Sequence, residues 1–313
     1  MNRQYRDGFT LIELSIVLII IGLIVGGILV GQDLVKAAAV RAEIAQIDKY
    51  NSAVHAFQNK YGFLPGDMPD PYATNFGFQS RGPYAGEGNG NGLIEGQNGV
   101  GAQDYGTKES QGETVVFWVD LSTANMVDGG FGAASPTVAA SADLTLTSSP
   151  AVGEYLPQAK IGNGNYVYVW SGGWGLSGCC GIGGDSQNYF GLSAVTAIGS
   201  GNPLASGRLY STPGLTVQQA YNIDKKIDDG LPQTGSVTAL YVNGTLGTYA
   251  NWAAGGGGTG ASSGSHQPTT TATPQTSTTC YDNGGASGAM QYSLGSTTNN
   301  GANLNCALSF KFQ

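Results

Sequence analysis

Charge is scarce in this chain: only 11% of its 313 residues are Asp, Glu, Lys or Arg, and its two histidines are His55 and His266. His55 falls in a helical pattern, where it reads as a partly exposed helix residue, and His266 falls in a low-complexity stretch. Neither setting suits a histidine-based catalytic centre. Positive charge is the scarcer sign, with 13 Lys and Arg against 21 Asp and Glu and a formal net charge of -8. No basic surface is available to neutralise a phosphate backbone, so nucleic acid is not an expected partner. Phosphate loop, zinc-ligand spacing and dinucleotide fingerprint are all missing, and the GASSG run at residues 260–264 lacks the strand and helix of a nucleophile elbow. The chain is therefore expected not to be an enzyme. No A-x-A cleavage site follows its one long apolar run, which argues against an ordinary secretory signal peptide.

What the chain has instead is glycine, 51 residues of it, together with much Ser, Thr and Asn. That balance resembles exported bacterial surface proteins built from short strands and long loops. At the amino terminus a short polar stretch, residues 1–8, carries Arg3, Arg6 and Asp7. An apolar stretch reaching Val30 follows, about the 20 residues that a helix needs to cross a bilayer. The basic leader belongs on the cytoplasmic side, which sends everything after Gln32 across the membrane. Glu13 is the anomaly. A carboxylate within a membrane span costs about 2.5–3.5 kcal/mol on insertion scales and calls for a functional explanation.

Gly8, Phe9, Thr10, Leu11, Ile12 and Glu13 resemble the prepilin processing site of type IV pilins and type II secretion pseudopilins. The resemblance covers about the first sixth of the chain. It implies cleavage between Gly8 and Phe9 by a membrane-embedded prepilin peptidase, N-methylation of Phe9, and a role for Glu13 in assembly. The physical logic agrees. Cleavage creates a cationic amine at Phe9, and an amine and a carboxylate that are each expensive in hydrocarbon-like packing are tolerable as a pair. Glu13 of one subunit can thus attract Phe9 of the next and fix their register. Gly22 matches a family glycine near which filament helices melt, while the proline many pilins carry eight residues later is Val30 here. Gly22, Gly26, Gly27 and Gly31 would serve either close helix packing or extension of the segment.

Beyond the apolar stretch the pattern turns amphipathic. Ile47, Tyr50, Val54, Phe57 and Tyr61 fall on one helical face, suited to packing beneath a head, and Gly62 followed by Pro65 is a stop signal. One helix over residues 9–61 is expected. Ser110 and Glu113 have capping-box spacing ahead of Phe117, Leu121, Ala124 and Val127, with Gly129 as the stop, and a further helix is expected over residues 217–228, with Thr216 and Gln219 as its box and Gly230 as its stop. The surroundings of Phe117 and Trp118, and those of Asn222, Ile223, Asp224, Asp228, Asp229 and Gly230, resemble heads of a bacterial group of prepilin-type proteins. The acidic cluster there reads as a solvated helix end or a second cation site. Strand-like runs lie at residues 166–170, 237–242 and 308–312.

Oxygen-bearing side chains alternate with glycine at Glu87, Asn89 and Asn91, followed by Glu95. This resembles the first part of a calcium loop, with Glu87 where Asp is usual and Asn98 where a bidentate Glu would close the site. A Gly and Asn turn is the competing reading, so Ca2+ is a candidate cofactor only. Four cysteines, Cys179, Cys180, Cys280 and Cys306, permit three pairings in an oxidising compartment. Cys280 with Cys306 is favoured, since it clasps a polar, Gly-rich segment. For Cys179 and Cys180, reduced thiols and cross-pairing both stay open.

The expected fold is α+β: a long amino-terminal helix, half membrane-spanning and half amphipathic, packed on an antiparallel β-sheet head with short extra helices and Gly/Ser/Thr-rich loops. Its parts are a leader over residues 1–8, a transmembrane and assembly helix over 9–31, an amphipathic helix over 32–61, and a head over 62–313 with a flexible insert at 253–279. The resemblance implies a structural filament subunit, made in the inner membrane and moved into a periplasmic or extracellular filament. Expected partners are other pilins, the prepilin peptidase, the inner-membrane assembly platform and the membrane itself. A minor pilin or pseudopilin acting as a tip or binding module, in adhesion, protein secretion or DNA uptake, is the alternative.

Overall fold

A computed structural model describes residues 10–83, 86–96, 106, 109, 112–135, 142–143, 151–172, 185–199, 208–244, 249–253, 259–260, 278–284 and 288–312. Its first element is a single helix, α1 (Leu11–Tyr61), 51 residues long and so ~77 Å from end to end. No proline interrupts it. Thr10 caps its start, and Gly62, in the left-handed conformation at φ 83°, ends it by donating its N–H to the Gln58 carbonyl. The helix thus begins two residues inside the expected start, with Phe9 outside the described residues.

The remaining helices are α2 (Tyr72–Asn75), α3 (Glu113–Thr123) and α4 (Val217–Ile227). Helix α4 has the expected capping box of Thr216 and Gln219. Helix α3 departs from expectation. It starts at Glu113 behind an N-cap of Gly112 that offers no side chain, and it stops at Thr123, short of Val127. Asn125, in the left-handed region at φ 55°, turns the chain there. Ser110 lies outside the described residues, and the Glu113 carboxylate is spent on a neighbouring loop.

Eleven strands follow in chain order among the described residues: β1 (Ala142–Asp143), β2 (Asn165–Ser171), β3 (Asn188–Gly199), β4 (Arg208–Thr212), β5 (Val237–Thr238), β6 (Leu240–Asn243), β7 (Tyr249–Trp252), β8 (Thr259–Gly260), β9 (Tyr281–Asp282), β10 (Gln291–Tyr292) and β11 (Leu308–Phe312). The main sheet is antiparallel and organised around β3, which pairs with β1, β2, β4 and β11, while β11 also pairs with β5. Strands β6, β7 and β8 form a second sheet, and β9 and β10 a hairpin-like pair. The run expected over residues 237–242 is divided at Ala239 between two sheets. Thr259 and Gly260 of the expected insert pair with β7.

One face of the lower half of α1 enters the core. Val40, Ile47, Tyr50, Val54 and Phe57 are buried there, and Tyr61 is half-buried. Tyr50 meets Trp118 of α3 edge-on with ring centres 4.9 Å apart, and Phe190 of β3 stacks on Phe312 of β11 at 4.3 Å. Gly191 is needed in β3 because a Cβ there would sit 2.2 Å from the Tyr168 ring that lies across it. His55 is exposed on the opposite face of the helix.

Candidate assembly site at the amino terminus

Helix α1 changes character along its length. From Leu11 to Val35 its large apolar side chains face outward, with exposures between 49% at Val25 and 88% at Leu11, and the first buried apolar residue is Val40. Over that stretch the helix is long and apolar enough to cross a membrane. Gly22, Gly26, Gly27 and Gly31 have nothing within 4 Å of where a Cβ would stand, so their surfaces are open to a neighbour.

Glu13 sits at the outer end of this segment in a capping box. Its Oε2 accepts from the Thr10 backbone N–H and from Thr10 Oγ1, both at 2.8 Å, while the Glu13 N–H donates to Thr10 Oγ1 at 3.3 Å. Those bonds satisfy donors that a helix start leaves open, and they hold the carboxylate near the positive end of the helix dipole. Glu13 Oε1 is engaged by none of the described residues, which leaves one oxygen able to meet a cation. Gly8 and Phe9 lie outside the described residues.

The 86–96 loop places the four calcium candidates in a different arrangement. Gly88, Gly90 and Gly92 all have positive φ, and a Cβ at Gly88 would strike the Met68 carbonyl oxygen at 2.6 Å. These conformations turn successive backbone N–H groups toward two buried carboxylates. Asp67 accepts from Gly90, Asn91 and Gly92, and Glu113 accepts from Gly88, Asn89 and Glu95, at distances of 2.7–3.3 Å. Asn89 Oδ1 accepts from the Asn91 N–H and Asn91 Oδ1 from the Leu93 N–H, while Asn91 Nδ2 donates to Glu95 Oε2. Glu87 and Glu95 are buried, and Asn89 and Asn91 are exposed. Residue 98 lies outside the described residues. Burial raises the Glu113 carboxyl well above its usual range, with repulsion from Asp67 and Glu95 adding to it, and burial lifts Asp67 to about 6.

Next to this loop Arg81 and Asp120 form a buried ion pair, Nη2 to Oδ2, at 2.5 Å. Arg81 also donates from Nε to the Met68 carbonyl, and Asp120 accepts from the Gly66 N–H. Sequence reading missed the roles of Asp67, Arg81, Glu113 and Asp120, because each acts on a residue far away in the chain. Only the cluster of loop glycines signalled that backbone N–H groups would be collected there.

Among the described residues, Asp224, Asp228 and Asp229 form the one group whose ligand atoms come within 4.8 Å of one another. Most of their oxygens are committed. Asp224 accepts from Tyr292 Oη and the Gly230 N–H, Asp228 from the Ser236 and Val237 N–H groups, and Asp229 from the Leu231 N–H and Thr234 Oγ1. They close the turn after α4. Cys280 and Cys306 are disulfide-bonded, fastening the segment before β9 to the one before β11. Cys179 and Cys180 lie outside the described residues.

Among known proteins, the family model of the prokaryotic N-terminal methylation motif matches residues 3–29. No curated protein and no solved structure matches the chain. The match spans residues 3–8 of the leader, the six residues from Gly8 to Glu13, and the exposed apolar helix as far as Leu29. Residues 3–29 of this chain are a prokaryotic N-terminal methylation motif, the signature of type IV pilins and pseudopilins.

Proposed function

We propose that the chain is a structural subunit of a type IV pilus-like filament, held in the inner membrane as a precursor, cut between Gly8 and Phe9, and then stacked through its amino-terminal helix. The observation that carries this reading is the division of α1: one unbroken helix is apolar and exposed from Leu11 to Val35, yet buried on one face beneath the head from Val40 onward. Such an exposed surface is tolerable in lipid before assembly and against other helices after it. Membrane and filament are therefore alternative covers for the same surface. The cationic Phe9 amine of one subunit meets Glu13 of its neighbour, and the apolar face supplies most of the attraction. The prepilin peptidase and an inner-membrane assembly platform are the partners this cycle requires.

Two variants test the reading. With Gly8→Ala, an uncut precursor that never reaches the filament is expected on immunoblots of membrane and sheared-filament fractions. With Glu13→Ala, the chain is expected to be cut normally and to assemble poorly. Normal filaments from the Gly8 variant would overturn the proposal. A second reading rests on the size of the head, residues 62–313, which suits a minor pilin or pseudopilin that contacts a surface, a secreted substrate or DNA at a filament tip. Mass spectrometry of purified filaments separates the two: the main repeating subunit cannot be a rare tip protein.

A further inference from the structure

Helix α1 carries a carboxylate where its buried stripe calls for an apolar residue. Glu43 lies between Val40 and Ile47 on the buried face and has no exposed surface. Its Oε2 accepts from the Ile161 N–H at 2.9 Å, while Oε1 is buried with no partner. One turn further on, Gln46 completes the contact. Its Oε1 accepts from the Lys160 N–H at 2.8 Å, and its Nε2 donates to the Gln158 carbonyl at 3.0 Å and to Tyr50 Oη at 2.7 Å. Two helix side chains thus take hold of three residues of the head segment that precedes β2.

We propose that Glu43 and Gln46 form a proton-controlled latch between the stalk helix and the head, closed when Glu43 is the neutral acid and loosened when its proton leaves to solvent. The reason is the lack of compensation for a charge at this point. No ion pair reaches Glu43 among the described residues. Lys160, on the segment it holds, is the nearest cation to act on it, and the Lys160 side chain is exposed. On the helix itself Tyr50 is a neutral phenol, and Lys49 is paired with Asp128. On α3, Asp120 is paired with Arg81 and Glu113 is bound to the 86–96 loop. On α4, Asp224 is bound to Tyr292 and Gly230, and Lys225 and Lys226 are exposed. An ionised Glu43 would therefore have the Ile161 N–H, a share of the Lys160 N–H and the exposed Lys160 charge to steady it, which together fall short of the desolvation of a full charge.

Burial raises the Glu43 carboxyl from 4.5 to about 7, partly offset by the Ile161 and Lys160 N–H groups. The folded state then holds a proton more tightly than the open state. Hold on the segment is greatest near the ordinary carboxyl value of 4.5, weakens as pH rises toward about 7, and levels off above it. Local opening costs less than global unfolding, so the change should register at the latch itself.

The test is amide hydrogen exchange by mass spectrometry on the full chain in detergent, at pH about 5.5 and about 8, with rates corrected for intrinsic chemistry. For the wild type, protection of the peptide spanning residues 158–161 is expected to fall roughly tenfold or more between the two conditions, with a peptide from α4 changing far less. Glu43→Gln keeps an acceptor for the Ile161 N–H without a titrating charge, and its protection is expected to stay within about twofold. Gln46→Ala should loosen the segment at both pH values without removing the pH dependence. An unchanged pH profile in Glu43→Gln would overturn the latch. So would an equal fall at α4 in the wild type, a control that stands even where a variant folds poorly.

Discussion

At the scale of single residues, buried carboxylates do most of the organising in the head. Asp67 and Glu113 gather six backbone N–H groups of one glycine-rich loop, and Asp120 anchors Arg81. The Arg81 and Asp120 side chains are both about 1% exposed, so removing one partner strands an uncompensated charge in the core. Arg81→Ala is expected to lower stability by about 3–5 kcal/mol, measured as a shift of the urea midpoint at unchanged slope. Surface pairs behave differently. Lys36 and Asp33 are mostly exposed, and Lys36→Ala should change stability by less than about 1 kcal/mol in the same titration.

At the scale of elements, legibility in the sequence tracked the range of the forces involved. Helix α1 could be read because its apolar stretch, its 3-4 periodicity and its stop glycine all act within a turn or two, although its cap at Thr10 was not among the signals. Helix α4 could be read for the same reason, its box of Thr216 and Gln219 being local. Glu43 was not picked out, because a charged side chain carries no local signal that it is buried. Strand β3, the centre of the main sheet, escaped notice because it is buried on both faces over most of its length. It therefore shows no alternation, and Gly191 breaks the apolar run at a point explained only by the Tyr168 ring. Helix α3 was drawn too long at both ends, since Glu113 fits a capping box by spacing but serves a distant loop, and Asn125 turns the chain before Val127.

The Cys280–Cys306 link was also legible, and it acts on elements rather than residues. Between the two cysteines lie β9, β10 and a short 3-10 helix (Ser296–Gly301), a segment that enters the core through Tyr281, Met290 and Tyr292. Cys306 exchanges two backbone hydrogen bonds with Leu215, just before the cap of α4. The disulfide therefore fixes β11, α4 and the β9–β10 pair to one point. Closing a loop of sequence separation 26 stabilises a fold by about 3 kcal/mol through the unfolded chain. The Cys280→Ser, Cys306→Ser double variant is expected to lose about that much, read as a lowered melting temperature that matches the wild type under reducing conditions.

At the scale of the whole molecule, the chain divides into a part that folds on itself and a part that needs company. Among the described residues, nothing before Val40 contributes a buried side chain, whereas the helix from Val40 to Phe57 supplies a wall of the head's core. The boundary of the folded unit therefore falls inside α1, near Lys36, and not at its end. A chain starting at residue 36 keeps Val40, Glu43, Ile47, Tyr50, Val54 and Phe57, together with every contact they make. It also sheds the exposed run from Leu11 to Val35, which at about 25 cal/mol per Å2 of apolar surface is the main drive toward membrane or toward other copies. Such a truncation is expected to elute as a monomer without detergent and to melt within about 1 kcal/mol of the full chain's head, because no core side chain is lost. A truncation starting at residue 55 removes five of those six side chains and should fail to fold. Gel filtration and circular dichroism on the two truncations decide the matter. If the shorter chain folded as well as the longer one, α1 would be a tether rather than part of the core.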